Sequence, residues 1–156
     1  MLKVGFIGLG TMGFPIAGHI SQSYETAVFN RTTNKSQKWT SEFKGEVCES
    51  IKDLALKSNV IFLCLSEDKD IEEIVLGSDG IMEHLNEETI VVDHSTTSVD
   101  TATLISNELL KKDSIFLDAP VSGGEVGAKN GTLSVMIGGD DLAYKQISPI
   151  LDCYSA

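Results

Sequence analysis

The feature that most constrains this chain is an apolar run that passes without a break into closely spaced glycines. Leu2 to Leu9 reads LKVGFIGL, and the glycine pattern GLGTMG occupies Gly8 to Gly13. A short, almost continuously apolar and β-rich segment predicts a central parallel strand covered on both faces. The glycines predict a tight turn into a helix: Gly8 makes the turn, Gly10 leaves the backbone bare for close approach of a pyrophosphate, and Gly13 lets the helix lie against the strand. N–H groups at the helix start would then bind the anion. Six residues of this kind are weak evidence alone. They gain weight from the strand before them, the helix after them and a second strand at the expected distance.

The rest of the chain repeats the strand and helix theme. After a helix over residues 12–22 come a strand at Thr26 to Phe29 and a helix through Trp39 to Phe43, which Thr32 or Thr33 would cap. A short strand at Glu46 to Cys48 precedes a helix at Ile51 to Leu56, opened by Ser50. Asn59 to Leu65 is the most apolar strand, followed by a helix at Asp68 to Leu76 with Ile71, Ile74 and Val75 on one side. Further strands are predicted at Thr89 to Val92, Ser114 to Leu117 and Thr132 to Ile137, with helices at Ser98 to Leu110 and Asp141 to Leu151. This order predicts an α/β fold with a Rossmann-like, doubly wound, mostly parallel sheet forming one domain over residues 1–156. Between Leu117 and Thr132 the chain carries Pro120, Gly123, Gly124, Gly127 and Gly131, leaving little room for a crossover helix. The last strand is therefore expected to pair antiparallel at the sheet edge.

Charge narrows the function classes. Against 12 Lys and Arg stand 23 Asp and Glu, a formal net charge of −11, which disfavours a nucleic-acid partner and gives no hint of an anionic membrane. No apolar segment approaches the roughly 20 residues of a membrane span, and the first residues enter a strand directly, so a cytoplasmic setting is expected. Cys48, Cys64 and Cys153 form no CxxC pair, and His19, His84 and His94 lack metal-ligand spacing, so no metal is predicted. Cys64 reads as a small buried hydrophobe and Trp39 as cover for the sheet.

About 20 residues beyond the glycine turn, an NAD site usually places an acidic residue against the adenosine ribose. Here stand Asn30 and Arg31. Asn30 can hydrogen-bond the ribose region without repelling a 2′-phosphate, and Arg31 can pair with that phosphate, with Thr32, Thr33 and Lys35 as further donors. NADP is therefore expected over NAD, with NAD possible. Other strand ends converge on the same crevice. Leu65 is placed to meet the nicotinamide and Ser66 to bound it. Asp93, Ser95 and Thr96 form a polar loop in which Asp93 or Ser95 is a candidate cap for the next helix. Ser122, Gly123 and Gly124 offer a hydroxyl and exposed N–H groups as a cradle for a small carboxylate-bearing substrate. His94 reads as a structural residue rather than an acid or base.

With these motifs in order, the chain resembles the β-hydroxyacid dehydrogenase family, in particular 3-hydroxyisobutyrate dehydrogenases and tartronate and succinic semialdehyde reductases. The resemblance rests on GFIGLGTMGFPIA, NRT at Asn30 to Thr32, VVDHSTTS at Val91 to Ser98, and FLDAPVSGGEVGAKNGTLSVMIGG at Phe116 to Gly139. It implies hydride transfer between NADP(H) and a β-hydroxy acid or its semialdehyde. Gly8, Leu9, Gly10, Thr11, Met12 and Gly13 would form the pyrophosphate loop, and Asn30, Arg31 and Thr32 the adenosine-side loop. Leu65 would lie at the nicotinamide, Thr96 near both ligands, and Ser122, Gly123 and Gly124 at the substrate carboxylate. The family's catalytic Lys, on a long helix leading to an all-helical domain, would lie beyond Ala156; Lys129, in the AKNGTL connection, is no substitute. The expectation is a segment that binds cofactor but turns over substrate poorly, within a homo-oligomeric enzyme as parent. A 6-phosphogluconate-dehydrogenase-like enzyme, another NADP-linked reductase, or a noncatalytic cofactor-binding domain are the alternatives.

Overall fold

The computed structural model describes residues 2–156. At its centre six parallel strands, β1 Val4–Ile7, β2 Thr26–Phe29, β3 Glu46–Val47, β4 Val60–Leu63, β5 Ile90–Asp93 and β6 Ile115–Asp118, lie in the order β3-β2-β1-β4-β5-β6. The chain works outward from β1 in one direction, then returns to pair β4 on its other side. The order therefore reverses between β1 and β4, and a crevice opens at their carboxyl ends. The doubly wound α/β fold expected from the strand and helix alternation is the observed one.

Helices α1 Gly13–Ser21, α2 Thr33–Glu42, α3 Ile51–Lys57, α4 Asp68–Leu76, α5 Val99–Leu110, α6 Gly124–Asn130 and α7 Asp141–Leu151 cover both faces. Strand periodicity sorts the core into two layers. Phe6, Val28, Phe62, Val92 and Leu117 pack under Ile16, Trp39, Ile147 and Tyr154 on one face. Ile7, Ile61, Leu63, Val91 and Phe116 pack under Leu54, Ile71, Val75 and Ile105 on the other. Every position of β1, β4 and β5 is buried, which is why these strands read as unbroken apolar runs. Trp39 is fully buried over the sheet, its indole N–H donating to the Phe14 carbonyl at 3.2 Å. Among the described residues no helix is long and apolar enough to cross a membrane.

Two local expectations are corrected. Ser50 opens α3 as expected, accepting the Asp53 N–H at 3.0 Å, but α5 is capped by Ser98, which accepts the Thr101 N–H at 3.2 Å. Asp93 is instead turned back on its own loop, accepting the Ser95 N–H at 2.9 Å and the Thr97 hydroxyl. The glycine-rich segment after β6 does contain a helix, α6, flanked by β7 Val121–Ser122 and β8 Ser134–Val135, which pair antiparallel as a separate two-stranded sheet. The expected antiparallel element thus sits beside the main sheet, joined to it by the bridge between Asp118 and Gly138. The length rule for parallel crossovers does not bind here, because α6 returns the chain as a hairpin excursion. Gly131, at φ 69°, ends α6 in the left-handed cap conformation.

Among the described residues two buried polar atoms lack a partner, Asp118 Oδ1 and the Ser36 hydroxyl, and the second can be removed without touching the strand ends. Ser36 in α2 is 1% exposed and its hydroxyl has no hydrogen-bond partner. Ser36→Ala removes an unsatisfied polar atom and supplies the better helix former, so it is expected to stabilise by about 1 kcal/mol, raising Tm by ~3 °C. Calorimetric melting of the variant checks this.

Candidate functional site

The glycine turn assigns a different task to each glycine. Gly8 sits at φ 102°, and a Cβ there would strike the carbonyl oxygen of Cys64 on the neighbouring strand end. A Cβ on Gly13 would run into the Gly8 carbonyl oxygen. Both are therefore demanded by the packing of turn, strand and helix. A Cβ on Gly10 would meet nothing within 4 Å. The fold does not need that glycine; the open space above it is where a pyrophosphate would approach. Met12 precedes α1 without a side-chain cap; Phe14 N–H donates to the Gly10 carbonyl at 3.0 Å and Pro15 has no N–H, so of the first turn the Gly13 N–H is the donor left for an anion. Thr11 beside it is exposed, and Met12 is half-buried against the core.

Leu9 points inward and is 2% exposed, while its N–H donates to Asn30 Oδ1 at 2.8 Å. Asn30 Nδ2 donates in turn to the Thr32 carbonyl at 3.1 Å. Both ends of the Asn30 amide are thus engaged in clamping the end of β2 to the glycine loop. Each bond uses one of the amide's two acceptor sites or two N–H donors, so the clamp holds the loop and leaves a second donor and acceptor on Asn30. Beyond the clamp lies a cleft of ≈ 210 Å³ lined by Gly10, Arg31, Thr32, Lys35, Leu65 and Asp70, among others. Residues from the ends of β2 and β4 and the starts of α2 and α4 meet there, as the reversal of strand order requires.

The loops after β4, β5 and β6 are tied to one another. Leu65 N–H donates to Ser95 Oγ at 2.8 Å, and Ala119 N–H to the Asp93 carbonyl at 2.8 Å. Thr96, Ser122, Gly123 and Gly124 are all exposed, on the segments that leave the carboxyl ends of β5 and β6, with Ser122 ending β7 and Gly124 opening α6. Gly123, at φ 134°, makes the sharp entry into α6 that turns the SGG backbone outward. Lys129 lies on α6, paired with Glu125 at 2.8 Å.

Behind this surface His94 is 4% exposed, its ring stacked on Phe62 with centroids 5.6 Å apart. Its Nδ1 lies 2.6 Å from the Ala119 carbonyl oxygen and its Nε2 2.6 Å from the Tyr154 hydroxyl. Burial pushes its pKa down to about 4, outweighing the opposing hydrogen bond to Ala119. Burial likewise pushes the Tyr154 hydroxyl well above the usual tyrosine range. Both rings are therefore neutral, with Nδ1–H donating to Ala119 and Tyr154 donating to Nε2. His94 is a strut that fixes the start of the Pro120 to Gly124 loop, in line with its reading as structural. Burial also raises the carboxyls of Asp93 and Asp118, with the Asp93 charge adding to the shift at Asp118 and the Thr97 and Ser95 hydrogen bonds opposing it at Asp93. The Cys64 thiol is pushed up to about 12, chiefly by burial, and is inert as a nucleophile.

Two residues of this region had no signal in the linear motifs. Asp70 enters the cleft beyond Asn30 from the first turn of α4, and Tyr154 completes the His94 strut from beyond α7. For Asp70 a signal existed: a helix that follows the strand beside the switch point presents its first turn to the crevice. Nothing local marks Tyr154.

Comparison with known proteins agrees with the fold. The model for the NAD binding domain of 6-phosphogluconate dehydrogenase matches residues 3–156. An uncharacterized oxidoreductase of Shewanella frigidimarina is 42% identical over 156 residues, covering 99% of this chain and 54% of that protein. The solved structure of Psf3 in complex with NADP+ and 2-OPP superimposes with a TM-score of 0.93 at 30% identity, over 98% of this chain and 54% of that one. The 3-hydroxyisobutyrate dehydrogenase of Mycobacterium tuberculosis, solved with L-serine, gives 0.92 at 25% identity, over 99% and 52%. The chain spans about half the length of the relatives it matches. With its strand order, glycine turn and the cleft beyond Asn30 in place, the chain belongs to the family of the NAD binding domain of 6-phosphogluconate dehydrogenase, as a Rossmann-fold oxidoreductase domain related to 3-hydroxyisobutyrate dehydrogenase.

Proposed function

We propose that residues 1–156 form the NADP(H)-binding part of an enzyme that interconverts a small β-hydroxy acid and its semialdehyde. The observation that carries the cofactor preference is the cleft beyond Asn30, where Arg31 and Lys35 line the wall and the end of β2 supplies no carboxylate. A guanidinium and an ammonium suit a 2′-phosphate dianion. The likeness to a structure solved with NADP+ supports the same choice. In this reading the loop Gly8 to Gly13 holds the pyrophosphate, Asn30 keeps the loop in shape, Thr32 adds a donor, and Leu65 bounds the nicotinamide. That ring, when bound, supplies or receives the hydride.

Thr96, Ser122, Gly123 and Gly124 receive the substrate carboxylate through hydroxyl and backbone N–H groups. The ammonium that would polarise the aldehyde oxygen comes, in this reading, from outside this segment; Lys129 lies on α6 in an exposed pair with Glu125. The segment is therefore expected to bind cofactor with little turnover, and the whole enzyme to work as a homo-oligomer. The family match to a 6-phosphogluconate dehydrogenase domain favours one second reading, a phosphorylated sugar acid as substrate. A panel of semialdehydes and phosphorylated sugar acids assayed with the longer enzyme separates the two.

The cofactor reading is tested by titrating the 156-residue chain with NADPH and NADH. NADPH is expected to bind more tightly, and Arg31→Ala to weaken NADPH about 30-fold, or ~2 kcal/mol, with NADH changed less than about threefold. Equal or tighter binding of NADH by the unaltered chain would count against it.

A further inference from the structure

Arg31 is not alone in the cleft. Its Nη2 lies 3.9 Å from Asp70 Oδ1, with the arginine side chain 73% exposed and the aspartate 21% exposed. An ion pair so exposed on one side contributes little to stability. Its position matters more than its strength. Asp70 stands on the first turn of α4, across the strand-order reversal from the end of β2, and both residues line the cavity that also holds Gly10, Thr32, Lys35 and Leu65. The end of β2 carries Asn30, an uncharged amide bonded to Leu9 and Thr32.

We infer that Asp70 is a specificity-determining residue, supplying from α4 the negative charge that the end of β2 lacks and limiting how strongly Arg31 favours a phosphorylated ribose. The inference rests on the cofactor reading above. Two effects act in the same direction. A 2′-phosphate must compete with Asp70 for the guanidinium, and once seated it lies near a carboxylate of like charge. An unphosphorylated ribose meets neither cost, because it neither needs the guanidinium nor repels the carboxylate. Asp70 therefore narrows the gap between the two cofactors without contributing to the pyrophosphate loop. Lys35, on the same wall, remains a second cation for the phosphate in either case.

The test uses 2′,5′-ADP and ADP as probes, titrated calorimetrically into the 156-residue chain, Asp70→Asn, Arg31→Ala and the double variant. Asp70→Asn preserves size and helix position while removing the charge. It is expected to tighten 2′,5′-ADP about fivefold, leave ADP within about twofold, and lose most of that gain in high salt. In the Arg31→Ala background the same substitution is expected to give a smaller gain, because the competition for the guanidinium is gone. If Arg31→Ala lowers the ratio of 2′,5′-ADP to ADP affinity while Asp70→Asn leaves 2′,5′-ADP unchanged or weaker, the role of Asp70 is overturned and the cofactor reading stands. If Arg31→Ala leaves that ratio unchanged, the cofactor reading falls and this inference falls with it.

Discussion

Gly10→Val is expected to leave the fold intact and to weaken dinucleotide binding about 100-fold, close to 3 kcal/mol. Gly13→Ala, a smaller change three residues away, is expected to do the reverse damage. The difference follows from what each new Cβ meets. At Gly13 it collides with the Gly8 carbonyl oxygen, so the turn and α1 must part, at a cost of about 3 kcal/mol from a total that for such domains is ~5–15 kcal/mol. At Gly10 the new Cβ meets no protein atom within 4 Å outside its chain neighbours, so the added side chain projects into the open space where a ligand would lie. Thermal melting and NADPH titration of both variants measure the two effects separately. A Gly10→Val chain that melts with the unaltered one and still binds NADPH at full strength would remove the pyrophosphate from this turn.

The second large effect is a dependence of stability on pH carried by His94. Its pKa is about 4 in the folded chain and about 6.5 when unfolded. Between these values the unfolded state binds a proton that the native state refuses, so stability falls as pH drops from 6.5 to 4. At about 1.4 kcal/mol per pH unit, the full loss is about 3 kcal/mol. Asp93 and Asp118 act in the opposite sense, because their raised carboxyls bind protons more readily folded than unfolded. Comparing the unaltered chain with His94→Gln cancels the carboxyl contributions. Chemical denaturation at intervals from pH 7 to pH 4 is expected to show the difference between the two narrowing by about 3 kcal/mol as pH falls. A constant difference would mean that His94 is not held neutral by its burial between Phe62, Ala119 and Tyr154.

Much of the architecture could be read before any coordinates. β1, β4 and β5 are buried on both faces, and a strand so placed must be apolar at nearly every position, which makes it visible in one dimension. The helices announced themselves less evenly. α4 and α5 carry regular apolar stripes, whereas α6 is short, begins at two glycines and lies in a segment that reads as loop. Its helical state comes from packing: Ala128 is fully buried in the core that also holds Ile16 and Leu133. The cap of α5 was misplaced for a related reason. Asp93, Ser95 and Ser98 are all competent capping residues, and the loop ties after β5 decide which of them is free to do so.

The candidate site divides along the same line. The sequence by itself determined the glycine turn and the absence of an acidic residue at the end of β2, because both are local in the chain and their geometry follows from backbone sterics. Only the tertiary structure decided what those residues face. It turned the Asn30 amide onto Leu9, brought Asp70 from another helix to Arg31, and set Tyr154 against His94 from sixty residues away. Such contacts depend on strand order and on which face of a helix meets the crevice. No short stretch of sequence contains that information.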